Sequence, residues 1–202
     1  MYSGKTALYK EAVAPANMLA TWKYDKSDLL GQLAESASYT AGQAGPAYLT
    51  TIDSRNVLYN PTKVTRWIPS AEGVELKNGY YTNYGYKPDA KTPEFVSYSD
   101  GGGLGADNVS FAYTPLGLPD RMYNAAGATY VNNADYNQLG DQTLLDLGSK
   151  HDMLISNIYE DGTGRLLRSI GGKEQVFSDH VYIYDPSGNV LKDHNLVDGG
   201  DA

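Results

Sequence analysis

The chain has 202 residues and a net charge of -8, and its Lys and Arg side chains form no cluster along any plausible strand or helix. That balance argues against a nucleic-acid partner, because neutralising phosphates supplies most of such binding. The absence of Cys excludes disulfides, thiolate metal sites and thiol redox chemistry; no run of 18 apolar residues predicts a membrane span, and the first residues lack a signal-peptide core.

The remaining composition points to strands and turns: 22 Gly, 9 Pro and 18 Tyr stand beside only 3 Phe and 2 Trp. Each buried phenol brings a hydroxyl that needs a partner, which suits half-buried sheet faces. In chain order, helical spacing of apolar residues appears first and weakly from Tyr24 to Glu35. Gly42 to Pro46 and Ile68 to Gly79 read as loops, and Tyr80-Tyr81-Thr82-Asn83-Tyr84-Gly85-Tyr86 reads as strand. Ser99 to Asp107, with Gly101-Gly102-Gly103-Leu104-Gly105, is expected to be the most flexible connection. No Lys-Ser or Lys-Thr follows this glycine run and no β-α-β context surrounds it, so a phosphate loop is not expected.

Alternation then predicts strands at Asn108 to Tyr113, Ile155 to Tyr159, Arg165 to Ile170, His180 to Tyr184 and Asn189 to Asp193, with a second weak helical stretch from Asp141 to Leu147. With Tyr as anchor the pattern becomes a repeat. Its best copies are Tyr159-Glu160-Asp161-Gly162-Thr163-Gly164-Arg165-Leu166 and Tyr184-Asp185-Pro186-Ser187-Gly188-Asn189-Val190. Looser copies carry Tyr113 with Gly117, Tyr136 with Gly140, Tyr86 with Asp89, and Tyr24 with Asp25. The anchors at 86, 113, 136, 159 and 184 are spaced 27, 23, 23 and 25 residues apart. In each unit Tyr ends a strand, Asp or Asn caps the turn, Pro presets φ, and Gly takes the positive-φ position before the chain returns antiparallel. One hairpin is unstable alone, so successive units must share a face. The expected fold is all-β: an extended antiparallel sheet of successive hairpins forming one ribbon over residues 1–202, degenerate over 20–107 and best formed over 108–202.

The units from Tyr159 and Tyr184 resemble the YD repeat, the "YDxxGRL" unit of Rhs proteins, insecticidal Tc-toxin shell subunits and teneurins. Ile68 to Gly73, Gly101 to Leu104, and the strand to Tyr113 with Leu116-Gly117-Leu118-Pro119 extend the resemblance to actinobacterial Rhs-type proteins. It implies a β-ribbon that spirals into a hollow shell around a C-terminal toxin, with the other shell segments and an enclosed polypeptide as partners, in a secreted or surface setting. It brings no catalytic residue, cofactor or metal. The chain departs from this pattern in being short for a closed shell, in lacking the segment that ends the shell and releases cargo, and in having no toxin domain after Ala202; a shell fragment is therefore expected. The residues defining the repeat are Tyr113, Gly117, Tyr136, Gly140, Tyr159, Asp161, Gly164, Arg165, Tyr184, Asp185 and Gly188.

Other chemistry is weakly supported. His151, His180 and His194 have no metal-ligand spacing, and no nucleophile elbow occurs. Glu160 with Asp161, or Asp179 with Asp185, are the candidate carboxylate pairs for glycoside hydrolysis, but turn capping accounts for Asp161 and Asp185. Asp198 and Asp201 match no calcium loop. Rows of tyrosine leave one alternative of another class open: a module that binds carbohydrate or a cell surface by aromatic stacking.

Overall fold

The computed structural model describes residues 14–25, 31–76, 79–173 and 176–197. Its regular structure is almost wholly strand. The chain divides into two compact units at Asn108/Val109. In the first unit β1 (Ala20–Tyr24), β2 (Leu33–Tyr39), β3 (Ala47–Arg55), β4 (Pro61–Trp67), β5 (Gly79–Tyr86) and β6 (Pro93–Tyr98) each pair antiparallel with the next. The second unit holds β7 (Asp107–Tyr113) from Val109 on, then β8 (Pro119–Asn124), β9 (Thr129–Tyr136), β10 (Gln142–Leu147), β11 (Met153–Tyr159), β12 (Leu166–Gly172), β13 (Val176–Tyr184) and β14 (Val190–Asn195), paired in the same consecutive way. The all-β fold of successive hairpins is as the sequence predicts. Short 3-10 turns at Pro15–Asn17 and Ser70–Glu72 are the helical elements among the described residues.

One of the two weakly helical spacings is not realised as helix. Asp141 to Leu147 contains β10, held by main-chain pairing between β9 and β11, which outweighs the spacing of Leu144, Leu145 and Leu147. Tyr24 closes β1 and Leu33 opens β2; residues 26–30 between them, which carry most of the Tyr24 repeat copy, lie outside the described residues. The glycine run is also tighter than expected. Gly101 and Leu104 exchange hydrogen bonds of 2.9 and 3.0 Å across Gly102 and Gly103, both at positive φ, as a two-residue hairpin turn requires.

Three of the hairpin turns share one geometry. At Asp185 the main-chain N–H donates to the carbonyl of Asn189 at 3.0 Å, the Gly188 N–H returns to the Asp185 carbonyl at 3.0 Å, and the Asp185 carboxylate accepts the Asn189 N–H at 2.9 Å. Asn137 does the same toward Asp141 and Gly140, and Thr114 toward Leu118 and Gly117. This is a type I turn closed by a left-handed residue. That residue brings a bulge: Ile183 pairs with Lys192 but Tyr184 with Val190, and Ala112 with Arg121 but Tyr113 with Pro119, so the return strand carries one extra residue beside each anchor. In the Tyr86 turn the left-handed position is filled by Ala90, at φ 57°. Ala90→Gly is therefore expected to raise stability by about 1 kcal/mol, a gain of roughly 2–4 °C in Tm, which thermal unfolding by circular dichroism will measure.

Little is deeply covered. Among the described residues the buried apolar side chains are Ala37, Val64 and Ala134, and no large side chain is fully buried. Both faces of the sheet in each unit stay largely open to solvent.

Candidate functional site

The tyrosine anchors are held by one recurring contact. Tyr86, Tyr136, Tyr159 and Tyr184 each end a strand half-buried, and each hydroxyl donates to the carbonyl of the residue that opens the return strand of the preceding hairpin. Tyr184 reaches Leu166 at 2.8 Å, Tyr159 reaches Gln142 at 3.0 Å, Tyr136 reaches Pro119 at 2.6 Å and Tyr86 reaches Pro61 at 2.9 Å. Each acceptor is the residue paired with the preceding anchor: Leu166 with Tyr159, Gln142 with Tyr136, Pro119 with Tyr113. The hydroxyl thus fastens one repeat to the next where the bulge opens the ladder. Burial pushes the Tyr86 and Tyr159 phenols up, with Tyr84 and Asp141 respectively adding to the effect. A phenol raised in the folded state stabilises fully below its unfolded value of about 10, and that contribution is lost as pH rises through the folded value. Unfolding is accordingly expected to set in above about pH 10, followed together by tyrosinate absorbance and far-ultraviolet circular dichroism.

A second set of contacts joins the turns. The Arg165 guanidinium donates to the carbonyls of Asp185 and Pro186 at 3.2 and 3.3 Å and lies 5.7 Å from the centre of the Tyr184 ring. In the first unit the Asn56 and Asn60 amides donate to the Ala90 carbonyl at 2.8 and 3.0 Å. The Asp185 carboxyl is held low by the Asn189 side chain and main-chain N–H. Gly140 and Gly117 sit at positive φ in open space. The turn after Tyr159 is one residue longer: Gly164 donates to the Glu160 carbonyl at 3.0 Å, and the side-chain contacts come from Glu160 and Thr163, leaving Asp161 exposed instead of capping.

Sequence reasoning passed over Arg55. Its guanidinium donates to the carbonyl of Leu33 at 2.8 Å, and Leu33 is the residue paired with Tyr24, so Arg55 occupies an anchor position without being Tyr. The signal was present in the numbering: Arg55 stands 31 residues after Tyr24 and 31 before Tyr86, and is followed by Asn56, a turn-capping residue.

The anchors share their face with apolar side chains. Phe111, Tyr113, Met122, Val131, Tyr136 and Leu145 line a shallow groove of about 310 Å³ in the second unit. The opposite face carries ion pairs. Arg168 holds Asp179 through two hydrogen bonds of 2.7 and 2.6 Å, which keep the Asp179 carboxyl low. Asp146 is buried and contacts His151 and Asn132; burial pushes its carboxyl up, and those hydrogen bonds outweigh burial and leave it low.

Of the two candidate carboxylate pairs, Asp179 with Asp185 does not make a hydrolytic arrangement. Asp179 and Asp185 lie six positions apart along one extended segment, about 20 Å, whereas glycosidase carboxylates stand roughly 5–10 Å apart. Asp179 is also committed to Arg168. His180 pairs through Nδ1 with the Asp193 carboxylate at 2.7 Å and His151 pairs with Asp146, so these two histidines serve strand and turn contacts. No group of three metal-ligating side chains occurs among the described residues, and Asp198 and Asp201 lie outside them. Among the described residues no helix is long and apolar enough to cross a membrane.

No family model matches the sequence, and no curated protein matches it. Solved structures do. The complex TcdB2-TccC3-Cdc42 is similar over 87% of this chain and 10% of its own, with TM-score 0.61 and 17% identity. TcdB2-TccC3 is similar over 92% and 11%, with TM-score 0.60 and 16% identity. The Tc holotoxin pore of Photorhabdus luminescens is similar over 87% and 10%, with TM-score 0.58 and 17% identity. The chain spans about a tenth of the length of the solved chains it matches. At such identity the likeness is one of fold, and the fold is the ribbon that the Rhs/YD resemblance implies.

Proposed function

We propose that this chain is a non-catalytic structural segment of an Rhs/YD-repeat shell that encloses or presents a polypeptide toxin cargo. The observation that carries the reading is how the repeats are fastened. The hydroxyls of Tyr86, Tyr136, Tyr159 and Tyr184 are each bound to the main chain of the preceding hairpin, while among the described residues almost nothing is packed into a closed core. Such a sheet builds wall; an enzyme of this size ordinarily gathers its chemistry in a cleft over a packed core. The fold shared with TcdB2-TccC3 supports the same role.

On this reading the partners are the neighbouring shell segments and the enclosed chain, within a secreted or surface-displayed complex. The apolar groove between Phe111 and Leu145 is where an unfolded cargo would lay its side chains. Molar mass by light scattering tests the reading. The chain alone is expected to self-associate through uncovered sheet, and co-expression with its flanking segments is expected to give a monodisperse complex. A stable monomer alone, indifferent to flanking segments, would overturn it.

A further inference from the structure

We propose that copies of this chain join head to tail. The edge of β1 in one copy takes the place of a next strand beside β14 of another, and the Tyr24 hydroxyl of the first donates to the Val190 carbonyl of the second. The inference rests on the fastening between hairpins that the shell reading also uses, and it needs no cargo. Among the described residues β1 pairs only with β2 and β14 only with β13, so each is an end strand with one unpaired edge.

The two edges carry the two halves of one joint. Leu166 and Gln142, which accept from Tyr184 and Tyr159, are the residues paired with the anchors before them, Tyr159 and Tyr136. Val190 is paired in that way with Tyr184, but no side chain among the described residues bonds its carbonyl. Tyr24 is the converse. It ends β1 as Tyr159 ends β11, and its paired residue Leu33 receives the Arg55 guanidinium, yet its own hydroxyl has no acceptor among the described residues. One copy thus holds an unused donor on its first strand and an unused acceptor on its last.

Strand direction and register allow the two to meet. A strand added antiparallel to β14 must run as β13 does and end on its anchor, and β1 ends on Tyr24. In three internal joints the residue three before the anchor pairs with the residue two after the acceptor: Val181 with Arg168, Ser156 with Leu144 and Asn83 with Lys63. The same register pairs Thr21 with Lys192 and sets Trp22 beside Leu191. Trp22 is 51% exposed, Tyr24 56% and Leu191 65%, so the joint covers apolar surface that both edges leave in water. Because the joined edges differ, the contact repeats from copy to copy and gives a ring or a filament, not a symmetric pair.

The chain has no Cys, so engineered cysteines report the joint without background. Equal amounts of Thr21→Cys and Lys192→Cys, each shown folded by circular dichroism, are mixed and oxidised with copper phenanthroline. A disulfide-linked dimer is expected in at least about tenfold excess over either variant alone, since only the mixture brings the two positions within bridging distance. Tyr24→Phe is expected to weaken association about fivefold by sedimentation, the worth of one hydrogen bond, and to leave the melting temperature of the dilute chain unchanged. Unchanged association in Tyr24→Phe would overturn the proposal. Cross-linking of either variant with itself as strong as in the mixture would overturn it in favour of a symmetric pair, and a disulfide closed within one chain of the double variant in favour of a ribbon closed on itself. If the chain self-associates by light scattering and the mixture gives no linked dimer, the proposal fails while the shell reading stands; a stable monomer indifferent to flanking segments sinks both.

Discussion

Gly188→Val is expected to lower the melting temperature by roughly 4–8 °C, a loss of about 2 kcal/mol. Gly188 holds φ at +93°, a region that a β-branched residue enters only with strain, and its new Cβ would also stand 3.4 Å from the Arg165 guanidinium that ties this turn to the preceding repeat. Gly164→Val shares the first cause without the second, since φ is +69° there and the nearest atoms lie at 3.9 and 4.0 Å. It should therefore cost less than Gly188→Val, and Gly164→Asn less again, because Asn tolerates the left-handed region. Thermal denaturation of the three variants ranks them. Unchanged stability in both valine variants would mean that the turns do not define the hairpins.

Tyr159→Ala is expected to cost about 2–3 kcal/mol, below the 3–5 typical of a fully buried aromatic because this ring is only half-buried. Tyr159→Phe should cost about 1 kcal/mol, the net worth of the hydroxyl bond to the Gln142 carbonyl. The difference between the two variants isolates the ring from its hydroxyl. Amide exchange should quicken in β10 and β11, the strands on either side of the lost contact, while β13 and β14 keep their protection. If Phe and wild type were equally stable, the hydroxyl would contribute nothing and the preference for Tyr over Phe would need another cause.

Much of this fold could be read from residues because the turns repeat their chemistry. Asp185-Pro186-Ser187-Gly188 and Asn137-Gln138-Leu139-Gly140 state cap, turn and left-handed residue in order, and the structure uses each as written. Two things were not legible. The destination of each hydroxyl depends on a carbonyl 17 to 25 positions earlier, which no local pattern encodes. Substitution within the pattern also hides members: Arg55 donates where a Tyr would, and Ala90 bends where a Gly would, so motif matching missed the role of both. Helical spacing near Leu144 misled because three leucines fit either period, and pairing on both sides of β10 decided between them.

The reach of the anchor contact has a consequence for heredity. The hydroxyl bonds of Tyr86, Tyr136, Tyr159 and Tyr184 each span only to the hairpin before, and Arg165 reaches only to the turn after it. An in-frame deletion or duplication of one whole period, such as the 23 residues from Asn137 to Tyr159, would leave each surviving hairpin with a neighbour of the same kind on either side. Unequal recombination between repeats could thus lengthen or shorten such a gene one period at a time, with each product already able to fold.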